Sequence, residues 1–94
     1  MPSLYIVSLV FDETNRPKIR GHGVSIREIY EVIDGDPKAL RNHSPGGAPW
    51  IVIGLTVARR LLTLPVDPTA EEGVWRPRTA YDSSEKEQRR YEAE

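Results

Sequence analysis

The residue in this sequence best suited to acid–base chemistry is His22, which stands between two glycines. Because Gly21 and Gly23 carry no side chains, we expect the imidazole to be accessible and a phosphate group to approach the backbone closely. An accessible imidazole titrates near neutral pH, which suits a general acid or a general base. The alternative is that the glycines only form a turn and that His22 packs against a sheet. The second histidine, His43, is expected to be a solvated loop residue.

Arginines on or beside predicted strands form a second group of candidates. A guanidinium group binds phosphate through paired hydrogen bonds and stabilises negative charge that develops on phosphorus. Side chains alternate along a strand, so Arg76 and Arg78 are expected on one face, with Pro77 on the other. The pair would form a phosphate-binding cluster, or it would protect an exposed edge strand from aggregation. Arg60 opens another predicted strand.

Glu87 and Tyr91 are four residues apart, which places both on one face of a predicted final helix. In a functional interpretation, the carboxylate and the phenol reach a phosphate or position an attacking 2′-hydroxyl. In a structural interpretation, Glu87 caps the helix together with Ser84, and Tyr91 docks the helix onto the rest of the protein. The spacing alone leaves both open.

The composition narrows the class of protein. A chain of 94 residues fits one domain, residues 1–94, with an end expected to fray after about residue 91. It has no cysteine, which excludes disulfides and thiolate metal sites, and two histidines do not suggest a metal site. We find no secretion signal and no apolar run of membrane-spanning length, so we expect a cytoplasmic protein. The net charge is −1, with bases in excess over residues 16–60 and acids in excess after residue 61.

The elements that must position these residues begin with a clear helix. Ser25 and Glu28 form a predicted capping box, apolar residues then recur at helical spacing, and Gly35 ends the helix. The predicted strands cover residues 4–11, 50–56, 60–66 and 74–81. Pro17 is expected to open a short helical turn, and residues 36–49 are expected to form a loop. Since Pro77 cannot donate to a sheet, the strand over 74–81 should be an edge strand or carry a bulge.

These elements predict an α+β protein in which an antiparallel sheet of about four strands packs against two to three helices. Three sequence segments, in the same order along the chain, resemble segments of the BrnT toxins of bacterial toxin–antitoxin systems. These toxins belong to the RelE-like ribonucleases. The segments are GHGVS at residues 21–25, WIVIG at 50–54 with RLL at 60–62, and TAYDSSEKEQRRY at 79–91.

The resemblance implies a small RelE-like fold and a metal-independent endoribonuclease that needs no cofactor. Its implied partners are RNA and a cognate antitoxin, and no membrane association is implied. The implied assembly is a homodimer or a toxin–antitoxin hetero-oligomer. Two positions depart from the family: Gly21 stands at a family lysine and Tyr81 at a family arginine. The alternative is therefore a diverged, non-catalytic module that binds a partner. The implied catalytic residues are His22, Arg60, Glu87 and Tyr91, and the candidate RNA-binding residues are Arg20, Arg76, Arg78 and Tyr81.

Overall fold

A computed structural model describes residues 4–93, which form three α-helices and a mixed sheet of six strands. The chain is therefore an α+β protein, as the sequence predicts. In chain order the elements are β1 (Ser8–Leu9), α1 (Asn15–Gly21), α2 (Ile26–Asp34), β2 (Lys38–Arg41), β3 (Trp50–Leu55), β4 (Leu61–Pro68), β5 (Val74–Pro77), β6 (Tyr81–Asp82) and α3 (Glu85–Ala93).

The sheet has the strand order β1-β5-β4-β3-β2, and β6 also pairs with β4, nearer the start of that strand than β5 does. All pairs are antiparallel except β1 with β5, which are parallel. The expected sheet of about four antiparallel strands was therefore wrong in strand number and in the orientation of one pair. The first segment returns beside β5, a long-range pairing that no local pattern reveals.

The strand expected over residues 4–11 is reduced to the two residues of β1. The side chains of Tyr5 and Val7 are 67% and 63% exposed. The amides of Val7 and Ser8 both donate to the carbonyl of Gly73, and the amide of Val10 donates to the carbonyl of Trp75, so only a short parallel ladder forms at the start of β5. Its apolar composition, typical of a buried strand, was misleading because neighbouring structure covers only part of it.

The segment over residues 36–49 is only partly the expected loop, because Lys38–Arg41 forms the edge strand β2. Leu40 is 2% exposed and packs with Ile51 and Ile53 of β3. A four-residue strand is stable here since β3 supplies its hydrogen-bonding partner and a buried face. The true loop is residues 42–49.

The strand expected over residues 74–81 is split into β5 and β6, and the irregularity lies after Pro77 rather than at it, because Pro77 pairs in register with Val66. The alternative of an edge strand was wrong, since β5 lies between β1 and β4. Val66 pairs with Pro77, whereas Thr63 pairs with Tyr81. The three-residue step from Val66 to Thr63 in β4 thus corresponds to a four-residue step from Pro77 to Tyr81. The segment that joins β5 to β6 therefore contains one extra residue. This offset sets which face of the sheet Tyr81 occupies.

Helices cover both faces of the sheet. On one face, α1 and α2 contribute Ile19, Ile29 and Val32 to a core that includes Leu62 and Leu64 of β4. The predicted capping box of α2 is present, with reciprocal bonds between Ser25 and Glu28. The helix α1 has seven residues rather than a single turn. Within residues 4–93, no helix combines the length and the apolar character needed to cross a membrane.

The helix α3 covers part of the opposite face and continues to Ala93, beyond the residue where fraying was expected. Glu94 lies outside the described residues. The helix docks through Tyr91, which packs on the smaller cluster of Leu40, Ile51 and Ile53. Glu87, one turn earlier, therefore faces the sheet beside β4 and β6.

Candidate functional site

Four of the residues singled out in the sequence meet around β6. His22 follows α1, Arg60 precedes β4, Tyr81 opens β6, and Glu87 lies in the first turn of α3. The imidazole ring of His22 is exposed, and its centroid lies 5.9 Å from that of the Tyr81 ring. We call the surface formed by exposed His22 and half-buried Tyr81 and Glu87 the β6 site.

The phenol of Tyr81 and the carboxylate of Glu87 form the polar centre of the β6 site. The Tyr81 hydroxyl donates to Glu87 Oε2 at 2.8 Å, and Glu87 Oε1 accepts from the Ser84 amide at 2.9 Å and from the Thr63 hydroxyl at 3.2 Å. Burial and the bond to Glu87 raise the pKa of Tyr81 well above its ordinary value. The phenol therefore stays protonated at neutral pH and acts as a hydrogen-bond donor.

Glu87 also has the structural role that the sequence suggested, as part of the cap of α3. The amide of Glu87 donates to Ser84 Oγ at 3.2 Å, and the Ser84 amide donates back to the carboxylate, which completes the predicted capping box of α3. One side chain thus caps the helix and accepts the Tyr81 hydroxyl. The two interpretations of Glu87 are compatible.

Arg60 joins the turn that carries His22 to the sheet, in an arrangement that we call the Arg60 clamp. Its Nε and Nη2 donate to the two carboxylate oxygens of Asp82 at 2.6 and 3.0 Å. Its Nη1 donates to the Gly23 carbonyl at 2.9 Å and to Glu28 Oε2 at 3.1 Å. Because these acceptors and the nearby His22 carbonyl engage the whole guanidinium, Arg60 positions the site rather than presenting a free cation to a ligand.

The Arg60 clamp makes the free energy of unfolding depend on pH in the acidic range. The pKa of Glu28 is lowered, first by the Ser25 amide and then by Arg60, and hydrogen bonds from Arg60 lower the pKa of Asp82. A carboxyl whose pKa is lower in the folded state stabilises it above the unfolded pKa, and this contribution is lost as pH falls. We expect unfolding free energy to decline below about pH 4.5, the ordinary value for glutamate. Urea titrations across this range should show a smaller decline in Arg60→Met, and an unchanged decline would contradict the assignment.

Arg76 and Arg78 are engaged within the protein. Arg76 donates to both oxygens of Asp12, at 2.8 and 3.1 Å. Arg78 donates to both oxygens of Asp67, at 2.7 and 3.1 Å, and to the carbonyl of Gly46 at 3.2 Å. Arg76 thus joins β5 to the segment before α1, whereas Arg78 joins β4 to the loop 42–49. Their charges are neutralised by the chain's own carboxylates.

Arg20 differs from these arginines because it forms no ion pair among residues 4–93. It is exposed, two residues before His22, and lines a groove of about 290 Å³ between α1 and the start of α2. It is therefore the free cation nearest in sequence to the imidazole.

Tyr91 lies apart from the β6 contacts and anchors α3. The ammonium of Lys38 lies 4.8 Å from the centroid of its ring, and Lys38 Nζ also donates to the Tyr91 carbonyl. Its hydroxyl makes no hydrogen bond within the described part of the chain. We expect Tyr91→Phe to keep the stability of the wild type and Tyr91→Ala to lose about 2 kcal/mol, because only alanine removes the ring from the apolar cluster. Urea denaturation of the two variants tests this, and equal losses would contradict a role in packing.

The structure also brings together residues that the sequence analysis did not group. His43, Lys86 and Arg90 line a groove of about 270 Å³ between the loop 42–49 and α3, with Glu87 on the same wall. His43 had been interpreted only as a solvated residue. The signal that was available is the spacing of Lys86 and Arg90, four residues apart and hence on one helix face. Nothing local connects that face with His43.

Among residues 4–93, no three histidine, aspartate or glutamate side chains gather in a way that would hold a metal ion. Comparisons with models of known protein families and with curated proteins give no match for this chain. The likeness to BrnT toxins therefore rests on the three sequence segments.

Proposed function

We propose that this protein is the toxin of a bacterial toxin–antitoxin pair, with a RelE-like fold, and that it cleaves RNA at the β6 site without a metal ion. The observation that carries the proposal is the exposed imidazole of His22 beside the Tyr81–Glu87 pair. It places an exposed imidazole, a side chain suited to proton transfer, next to a hydroxyl that stays protonated. The proposed setting is the bacterial cytoplasm, with a cognate antitoxin as partner.

The proposed reaction is attack of an RNA 2′-hydroxyl on the adjacent phosphate. The bond between O2′ and phosphorus forms while the bond between phosphorus and O5′ breaks, which leaves a 2′,3′-cyclic phosphate and a 5′-hydroxyl. Neutral His22 takes the proton from O2′, and water supplies the proton that O5′ receives. When RNA binds, Tyr81 turns its single hydroxyl proton from Glu87 to a phosphate oxygen as negative charge develops there, and exposed Arg20 adds positive charge.

The test is to incubate the purified protein with RNA in the presence of EDTA and to analyse the ends of the products. We expect cleavage that leaves 2′,3′-cyclic phosphate and 5′-hydroxyl ends. RNA carrying 2′-O-methyl groups is the matched substrate control, because it lacks the attacking hydroxyl and should stay intact. Induction in bacterial cells should also arrest growth. Intact RNA in both experiments would contradict the proposal.

A second candidate function is a non-catalytic module on the same fold that binds a protein partner. The observation that favours it is the pairing of Arg60, Arg76 and Arg78 with carboxylates of the chain, which removes three cations expected to contact phosphate. Under this alternative, the protein forms a stable complex with the product of an adjacent gene while RNA stays intact. Cleavage by the purified protein would exclude it.

A further inference from the structure

We propose that the groove lined by His43, Lys86 and Arg90, here called the α3 groove, binds the phosphates of the RNA strand next to the β6 site. The inference deepens the proposed function and rests on it for the identity of the ligand. It assigns a binding role to residues that the sequence analysis left without one.

The charge of the α3 groove supports an anionic ligand. Lys86 and Arg90 lie on one wall, and neither forms an ion pair within residues 4–93. The one carboxylate of that wall, Glu87, already accepts hydrogen bonds from the Tyr81 hydroxyl and the Ser84 amide. Its negative charge is therefore partly satisfied within the protein, while the two cations remain available. This contrasts with Arg60, whose guanidinium is fully engaged.

The opposite wall is held in a fixed shape. The amide of Asn42 donates to the Pro49 carbonyl at 3.0 Å, which closes the base of the loop 42–49, and the Ser44 amide donates to Asn42 Oδ1 at 3.2 Å. Near the tip, Arg78 donates to the carbonyl of Gly46. The loop thus presents His43 to the groove from a braced backbone, which lowers the entropy lost when a ligand binds.

The position of the groove favours a nucleic acid strand over a free anion. Glu87 belongs both to the wall of the α3 groove and to the β6 site, so the two surfaces adjoin at this side chain. The volume, about 270 Å³, is slightly below the usual range of ligand pockets and suits one phosphate with part of its sugar. We therefore infer that the strand whose reacting phosphate lies at His22 passes Glu87 and contacts the α3 groove through another of its phosphates.

The test measures binding of a short fluorescent 2′-O-methyl RNA, which cannot be cleaved by attack of its 2′-oxygen. Arg90→Gln and Lys86→Gln should each weaken binding roughly three- to tenfold and lower the slope of log affinity against log salt by about 0.7, the value for one lost contact to a single strand. Arg89→Gln is the matched control, since Arg89 is an exposed arginine of the same helix that does not line the groove. Its affinity and slope should equal those of the wild type.

A second measurement follows the imidazole of His43 directly by nuclear magnetic resonance. Its resonances should shift when the same 2′-O-methyl RNA is added, and they should shift less in Arg90→Gln. If Arg90→Gln and Lys86→Gln bind as the wild type does, or if the His43 resonances do not move, the inference is overturned. Cleavage of ordinary RNA with such a result leaves the proposed function intact. Groove-dependent binding without any cleavage contradicts the ribonuclease proposal alone.

Discussion

His22→Ala is expected to lower the rate of RNA cleavage by about 100- to 10,000-fold, the range for loss of a general acid or base. The substitution removes the imidazole and little else. Arg60 contacts this turn through the main-chain carbonyls of His22 and Gly23, which alanine keeps. The fold should therefore persist, and thermal denaturation of the variant should match that of the wild type. Initial cleavage rates of the two proteins on one RNA give the measurement.

A control variant distinguishes a reaction of His22 itself from a general role of α1 in binding RNA. Lys18→Ala, an exposed change in α1 four residues before His22, is the control and should cleave at the wild-type rate. Loss of cleavage in both variants would point to α1 as a binding surface. Full activity in a folded His22→Ala would remove this residue from the reaction and leave Tyr81 and Glu87 to be tested alone.

Arg60→Met should cost about 2 kcal/mol of unfolding free energy, which for a domain of this size is a melting temperature lower by roughly 10 °C. Methionine keeps an apolar stem of similar length but cannot donate to Asp82, Glu28 or the Gly23 carbonyl. Each lost bond is partly exposed, so the estimate lies below that for a fully buried ion pair. Calorimetry or urea denaturation at neutral pH measures the loss.

The neighbouring Arg59→Met provides a close control. Arg59 is exposed, forms no ion pair among residues 4–93 and has a φ of 69°, which arginine and methionine tolerate equally poorly. The control should therefore keep the stability of the wild type. If the two variants lose equal stability, the bonds of the Arg60 clamp contribute nothing measurable.

Local sequence signals predicted several elements of this fold correctly. The caps of α2 and α3 each depend on residues three positions apart, Ser25 with Glu28 and Ser84 with Glu87, so the whole signal lies within one helical turn. The missing amide of proline predicted an irregularity at Pro77, and the extra residue lies just after it, between Pro77 and Tyr81. In each case the interaction that decides the structure is encoded by neighbouring residues.

Long-range contacts decided what the sequence did not predict. The carboxylate that neutralises Arg76 is Asp12, 64 residues away, and those that pair with Arg60 are Asp82 and Glu28, 22 and 32 residues away. An arginine that is free to bind phosphate and one that is paired look the same in sequence. The parallel pairing of β1 with β5 is equally remote. Candidate site residues could be chosen by type, but their availability depended on partners that only the fold supplies.

The bulge between β5 and β6 also constrains how this chain can evolve. Because of the extra residue, Tyr81 is opposite Thr63 and faces α3, while Asp82 is opposite Leu62 and meets the Arg60 clamp. Deleting one residue from 78–80 would exchange these faces and place the phenol on the side of the buried Leu62. Natural variants of this protein should therefore change side chains in this short segment far more often than they change its length.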